Sequence, residues 1–177
     1  SWPSLTQDFT DRAFDLAISG VSITPSRAVL GAFSTPYHVG GKTPIGRCLD
    51  RDRFNDFAAI DQPDTRAVFN PGGTNERFAR QRLQHAELIT FADNRFIFQE
   101  LLAGHADVMF TDEIEVALKT QQHSALCALL PGQRLTHQEK AIWLHKDDAF
   151  KQHIDDWLQT MIKQGRLKAL FDHALGR

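Results

Sequence analysis

The stretch Val108–Leu118, VMFTDEIEVAL, decides how the chain is read. A short apolar run ends in Thr-Asp, and three carboxylates, Asp112, Glu113 and Glu115, fall within four residues. With Val108–Phe110 as a buried strand, Thr111 and Asp112 stand at its carboxyl end, where α/β folds hold their ligands. A helix starting at Asp112 brings residue 115 close to residue 112 on one face and points Glu113 elsewhere. Two carboxylates in a partly desolvated cleft push at least one pKa up, which makes a general acid. The same residues also make an ordinary helix start, with Asp112 as N-cap and Glu113 and Glu115 as first-turn charges favoured by the helix dipole. Taken alone, such a stretch is more commonly the second.

Outward from this stretch, further short apolar runs read as strands: Phe14–Ser19, Ala67–Asn70, Ala86–Phe91 and Lys140–His145, with the strand of the opening stretch taken as Asp107–Thr111. Helical patterns lie between them. SLTQDFTDRAF places Leu5, Phe9 and Arg12/Ala13 on one face; TNERFARQRL has Thr74 as N-cap with Phe78 and Leu83 inward; NRFIFQELLAG has Asn94 as cap and Gly104 as stop. DDAFKQHIDDWLQTMIKQG is a long amphipathic helix with Phe150, Ile154, Trp157, Leu158, Met161 and Ile162 as its core stripe. Strand alternating with helix predicts an α/β fold with a largely parallel sheet. The Pro- and Gly-interrupted PYHVGGKTPIGRC and the later LLPGQRLTHQEKA read as two crossings between lobes. The expected division is 1–46 with 131–177 as one lobe and 47–130 as the other, with ligand in a cleft between domains.

The 177 residues are 42% hydrophobic and 24% charged, with net charge -2. No basic face suggests nucleic acid, and no apolar run approaches the roughly 20 residues that span a bilayer. SWPSLTQDF has neither the basic start nor the apolar core of an export signal. Cys48 and Cys127 are compatible with one disulfide or with two free thiols. The eight histidines are scattered, without HxH or HExxH, so they read as surface residues and no metal site is expected. Nothing in the sequence bears on oligomeric state.

Three other stretches carry chemistry. In SGVSITPSR, Ser19 and Gly20 end a strand and Arg27 sits in the helical turn opened by Thr24-Pro25. Its guanidinium fork suits a carboxylate, or it is a surface arginine on a short helix. In NPGGTNERFA, Asn70 closes a strand, Gly72-Gly73 allow close backbone approach, and the helix N-terminus at Thr74 suits an anion. A plain turn with a good cap is the commoner outcome there, and neither a Walker motif nor GxGxxG is present. Lys42, in GGKTP, either reaches a cleft or is solvated.

Taken together, SWPSLTQDF, FDLAISGVSIT, FSTPY, GKTPI, NPGGTNERFAR, IFQELLAGHADVMFTDEIE and EKAIWLHKDDAFKQHIDDWL resemble the type II periplasmic solute-binding protein family over essentially the whole chain. Within it, SWPSL, NPGGTNE and TDxIE are most similar to the periplasmic cyclohexadienyl dehydratases. Family members carry a strand, a helix and a second strand, with an Asp-Tyr pair at the cleft, before the SWPSL-like segment. A chain starting at Ser1-Trp2 is expected to lack that unit, leaving its first lobe incomplete. The resemblance implies a two-lobed α/β fold and decarboxylating dehydration of prephenate or arogenate without a cofactor. Its rival is an amino-acid-binding protein of a transporter, without catalysis. It implies that Arg27 binds a substrate carboxylate with help from Ser19 and Thr74, that Asp112 holds an α-ammonium, and that Glu115 is the general acid. Asn70, Lys42 and Trp2 would orient the substrate and shape the acid's surroundings. The resemblance further implies a Cys48–Cys127 disulfide, a small-molecule carboxylate (prephenate, arogenate or an amino acid) as partner, and a periplasmic location.

Overall fold

The computed structural model describes residues 1–177. The chain opens with α1 (Leu5–Thr10), β1 (Leu16–Ala17), α2 (Pro25–Leu30), β2 (Ala32–Phe33) and β3 (His38–Gly40). It continues through β4 (Lys42–Arg47), α3 (Phe57–Ile60), β5 (Arg66–Phe69), α4 (Thr74–Arg82), β6 (Glu87–Thr90), α5 (Ile97–Leu102), β7 (Val108–Asp112), α6 (Glu113–Gln122) and β8 (Leu126–Ala128). It ends with β9 (Gln138–Lys140), β10 (Trp143–Leu144), α7 (Asp148–Lys163) and α8 (Arg166–Ala174). The fold is mixed α/β in two compact units. Gly41–Thr136, with Trp2, form one; Ser1, Pro3–Gly40 and His137–Arg177 form the other. The chain therefore changes unit at Gly40–Gly41 and Thr136–His137, where the sequence suggested 46/47 and 130/131. The reason is that Lys42–Arg47 is strand rather than linker, paired with β7 from Lys42 to Gly46.

The middle unit is a five-stranded sheet in the order β6-β5-β7-β4-β8. β5 runs parallel to β6 and β7, whereas β4 runs antiparallel to both β7 and β8. The expected largely parallel sheet is thus mixed, because the crossing segment enters it as a central strand. Pro44 is tolerated there, just outside the Ile45–Arg47 run that pairs with β8, and its carbonyl accepts the Leu129 N–H at 3.0 Å. Both sheet faces are buried. Ala67, Phe69, Val108 and Phe110 pack with Phe78 and Ala79 of α4; Val68 and Met109 pack with Ile97, Phe98 and Leu101 of α5 and Val116 of α6. Burial on both faces explains why these strands read as continuous apolar runs. At the amino ends of β5 and β7 and the carboxyl end of β4, Asp107 accepts from the Arg66 N–H at 2.9 Å and from the guanidinium groups of Arg66 and Arg47 at 2.8 and 3.1 Å, tying β4, β5 and β7 together. Cys48, just beyond β4, is disulfide-bonded to Cys127 of β8 across 79 residues, so the pairing left open by cysteine count is a disulfide. Closing a loop of that length stabilises by about 4 kcal/mol in the chain-entropy picture.

The other unit holds an antiparallel sheet, β1-β10-β2, and the antiparallel pair β3-β9. Phe9 of α1 stacks between Trp143 at 3.7 Å and His145 at 4.1 Å. Ile142 and Leu144 pack against Leu158 of α7, with Phe150 and Ile154 alongside. The expected strand Lys140–His145 is broken in two: β9 ends at Lys140, and β10 starts at Trp143 in a different sheet. The expected strand Phe14–Ser19 shortens to Leu16–Ala17. On α7, Leu158 and Met161 are buried, but Trp157 and Ile162, placed in the core stripe by periodicity, are each 46% exposed. Two helix starts also differ. Gly73, not Thr74, is at the N-cap of α4. α5 begins at Ile97 behind Phe96, because Asp93 takes the Arg95 N–H at 2.9 Å and forms a turn where Asn94 was expected to cap. No helix is long and apolar enough to cross a membrane.

Candidate active site

The strand-to-helix switch at Asp112 lies at the carboxyl end of β7, as the opening stretch requires. Asp112 occupies the N-cap position of α6 but makes no capping hydrogen bond. The β4–β7 register sets Lys42 directly opposite Asp112, and Lys42 Nζ meets Asp112 Oδ1 at 2.8 Å. Lys42 is 1% exposed. An ammonium this deep needs carboxylate and hydrogen-bond partners to offset lost hydration.

From Lys42 a directed chain of donors runs to Glu115. Lys42 Nζ donates to Asn75 Oδ1, Asn75 Nδ2 donates to Thr111 Oγ1 at 3.1 Å, and the Thr111 hydroxyl donates to Glu115 Oε2. Because the Asn75 amide fills an acceptor position on Thr111, the hydroxyl proton is left to point at Glu115. Glu113 points away, as helix geometry demands, pairing with Arg134 while its N–H donates to Gly41 O at 2.9 Å.

The NPGGTNE segment borders this chain. Asn70 directly follows β5, is 4% exposed, and donates Nδ2 to Phe91 O at 3.1 Å, while its buried Oδ1 accepts no hydrogen bond. Gly72 has φ +82°, and its N–H donates to Glu76 Oε2 at 2.7 Å. That backbone hydrogen bond, with Arg80 beside it, holds the Glu76 carboxyl below its ordinary range. Glu76 therefore organises the first turn of α4, the part that Thr74 was expected to play. Trp2 lies against Gly73, whose added Cβ would meet the indole at 3.8 Å.

A family model covers residues 1–177, the whole of this sequence. The chain belongs to the bacterial extracellular solute-binding proteins, family 3. It is 45% identical over 175 residues to the cyclohexadienyl dehydratase of Pseudomonas aeruginosa, covering 99% of this chain and 65% of that protein. It is 26% identical to the L-cystine-binding protein of Escherichia coli, again over 99% of this chain and 65% of the relative. The chain thus spans about two thirds of the length of these curated relatives, 65%. Among solved structures, an ancestral amino acid-binding protein described as a precursor of cyclohexadienyl dehydratase matches with TM-score 0.88 at 28% identity, covering 98% of this chain and 74% of that one. An ancestral cyclohexadienyl dehydratase matches at 40% identity and TM-score 0.53, covering 100% and 74%.

In this solute-binding protein, Lys42, Asp112 and Glu115 join one hydrogen-bonded chain, with Asn70, Thr74 and Trp2 belonging to the same unit. Ser19 and Arg27 belong to the other. Ser19 is exposed with φ +93°, an uncommon backbone state for a residue with a Cβ. Arg27 is buried and donates Nη1 to Ser22 O at 3.0 Å, with Thr24 capping its short helix. The residues missed from sequence are Asn75 and Thr111, both inside stretches already singled out.

Proposed function

We propose that the chain carries the catalytic machinery of a cyclohexadienyl dehydratase, converting prephenate to phenylpyruvate, arogenate to phenylalanine, or both. The donor chain ending on Glu115 is the observation that supports this reading most strongly. In the reaction Glu115 protonates the 4-hydroxyl as the C–O bond breaks. The ring carboxylate leaves as carbon dioxide, its bonding pair enters the ring, and aromatisation follows. Hydroxide is a poor leaving group, so the acid contributes typically about 10²–10⁴-fold. The Thr111 hydroxyl occupies Oε2, which leaves Oε1 to carry the proton towards substrate. Lys42 and Asn75 set the direction of that chain; Asn70 and Trp2 orient the ring; Arg27, with Ser19 and Thr74, takes a substrate carboxylate. The carboxylate substrates and the disulfide fit a periplasmic location.

A second reading, an amino-acid-binding protein without catalysis, is favoured by Asp112, a carboxylate suited to an α-ammonium. Assay of purified protein for phenylpyruvate from prephenate and phenylalanine from arogenate separates the two. Product formation is the expected result. Binding of amino acids with no product from either substrate would leave the binding-protein reading standing.

A further inference from the structure

Ser19 stands in a backbone state that a side chain does not favour. It has φ +93° and Gly20 has φ +80°, so two successive residues lie in the region that glycine enters freely and a residue with a Cβ does not. Ser19 is exposed, and its hydroxyl makes no hydrogen bond within the chain that would offset the cost. Such states persist only where the surroundings hold them, and they cluster at ligand-holding positions. The contact that holds this one comes from Tyr37. Its phenol oxygen accepts the Gly20 N–H at 3.1 Å, on the peptide that joins Ser19 to Gly20. Tyr37 lies between β2 and β3 and is itself fixed. Its N–H donates to Lys140 O at 2.9 Å, and its ring packs beside Ile142, Leu144 and Leu158. The same segment anchors the chain after the turn: Val21 O accepts the Ala141 N–H at 3.2 Å, and Ser22 forms a β-bridge with Lys140. The mechanism above gives Tyr37 no part.

We infer that Tyr37 is a positioning residue whose hydroxyl sets the Ser19–Gly20 turn so that the Ser19 hydroxyl meets a ligand carboxylate. This rests on the reading that Ser19 shares a carboxylate with Arg27, which the dehydratase and the amino-acid-binding readings have in common. That carboxylate is the side-chain one, borne by prephenate, arogenate and amino acids alike and left intact by dehydration. Tyr37 acts through the turn and not on the ligand. A turn already set binds without first being ordered, which strengthens binding without a new contact. A carboxylate that turnover leaves unchanged is held alike in bound substrate and transition state, so the effect falls on KM rather than on kcat.

The test is a double-mutant cycle of Tyr37→Phe and Ser19→Gly, read by calorimetric binding. All four proteins carry Glu115→Gln, so that prephenate is bound without turnover. Prephenate and the proteinogenic L-amino acids are the probes, and the tightest binder is carried through the cycle. Tyr37→Phe keeps the ring in its packing and removes only the acceptor for Gly20. It is expected to weaken the ligand about fivefold, the size of one lost hydrogen bond, with thermal unfolding close to that of the parent. Ser19→Gly removes both the hydroxyl and the unfavourable φ, so Tyr37→Phe is expected to cost less than about twofold in that background. The same loss in both backgrounds, or no loss in either, would overturn the inference, as would a protein that binds none of these carboxylates. With Glu115 in place, Tyr37→Phe is expected to raise the KM for prephenate about fivefold and to leave kcat within about twofold. A loss carried by kcat would overturn the positioning role. Absence of prephenate turnover in the wild type would sink the dehydratase reading alone, because the binding cycle judges Tyr37 without it.

Discussion

Thr111 is the residue on which the acid's position depends. Its hydroxyl accepts from Asn75 and donates to Glu115, so no apolar replacement keeps both bonds. Thr111→Val conserves shape, leaves the Asn75 amide without its acceptor, and frees Glu115 to rotate. The expected cost is about 1–3 kcal/mol of stability from the unsatisfied buried amide. Turnover is expected to fall through kcat more than through KM, because the ligand contacts are untouched. Chemical denaturation and steady-state kinetics on the same preparation check both parts; an unchanged kcat would remove Thr111 from the acid's support. This part of the site was only half legible in the sequence. Asp112 and Glu115 stand out because carboxylates directly after a buried strand are conspicuous. Asn75 and Thr111 are an amide and a hydroxyl with no periodic signature, and their roles exist only through partners far away in the chain. The local arithmetic was right to count Asp112 at a cap position; what it could not show is that a lysine on the neighbouring strand takes its carboxylate.

Among the elements, β4 was the hardest to read and matters most. Its proline and Gly46, with Gly40-Gly41 just before it, look like a linker, yet Gly41 and Gly46 are small because other backbone lies against them. An added Cβ at Gly41 would stand 1.9 Å from Thr136 O, and one at Gly46 would stand 2.6 Å from Asp107 O. Punctuation that normally ends a strand here permits close packing within one. β7 and β5, by contrast, were legible because both of their faces are buried and their apolar runs are unbroken. The stripe of α7 misled at Trp157 and Ile162, since periodicity ranks positions around a helix but not the width of the surface that covers them. At this scale, Gly41→Ala is expected to destabilise by about 2 kcal/mol or more, as overpacking against backbone cannot be relieved by a side-chain rotation. Thermal unfolding measures it; a variant as stable as wild type would mean that Thr136 moves freely.

For the whole molecule, acid stability follows from carboxylates spread over both units. Burial pushes the Asp61 carboxyl up, but the N–H groups of Ala86, Gln84 and His85 outweigh it and bring it to about 2. Burial likewise opposes, and Arg66 and Arg47 overcome, the shift at Asp107, which is lowered. At Asp155 burial is again outweighed, by Lys151 and the Thr35 N–H. In each case the unfolded carboxyl takes up its proton before the folded one. Their contribution is therefore complete above about pH 4 and is lost as pH falls towards the folded values. Through these groups, unfolding free energy is expected to be insensitive to pH near neutrality and to fall below about pH 4. Asp61→Asn should be less stable at pH 7 and show a shallower acid decline, which denaturant titration across pH 2–7 would reveal.

The central claim is that Glu115 gives its proton to the leaving hydroxyl, and Glu115→Gln tests it most directly. The amide keeps the size and the acceptor for Thr111 but has no acidic proton. Measured on the same protein, prephenate turnover is expected to fall by about 10²-fold or more while prephenate affinity stays within about threefold of wild type. Turnover close to wild type in this variant would contradict the account.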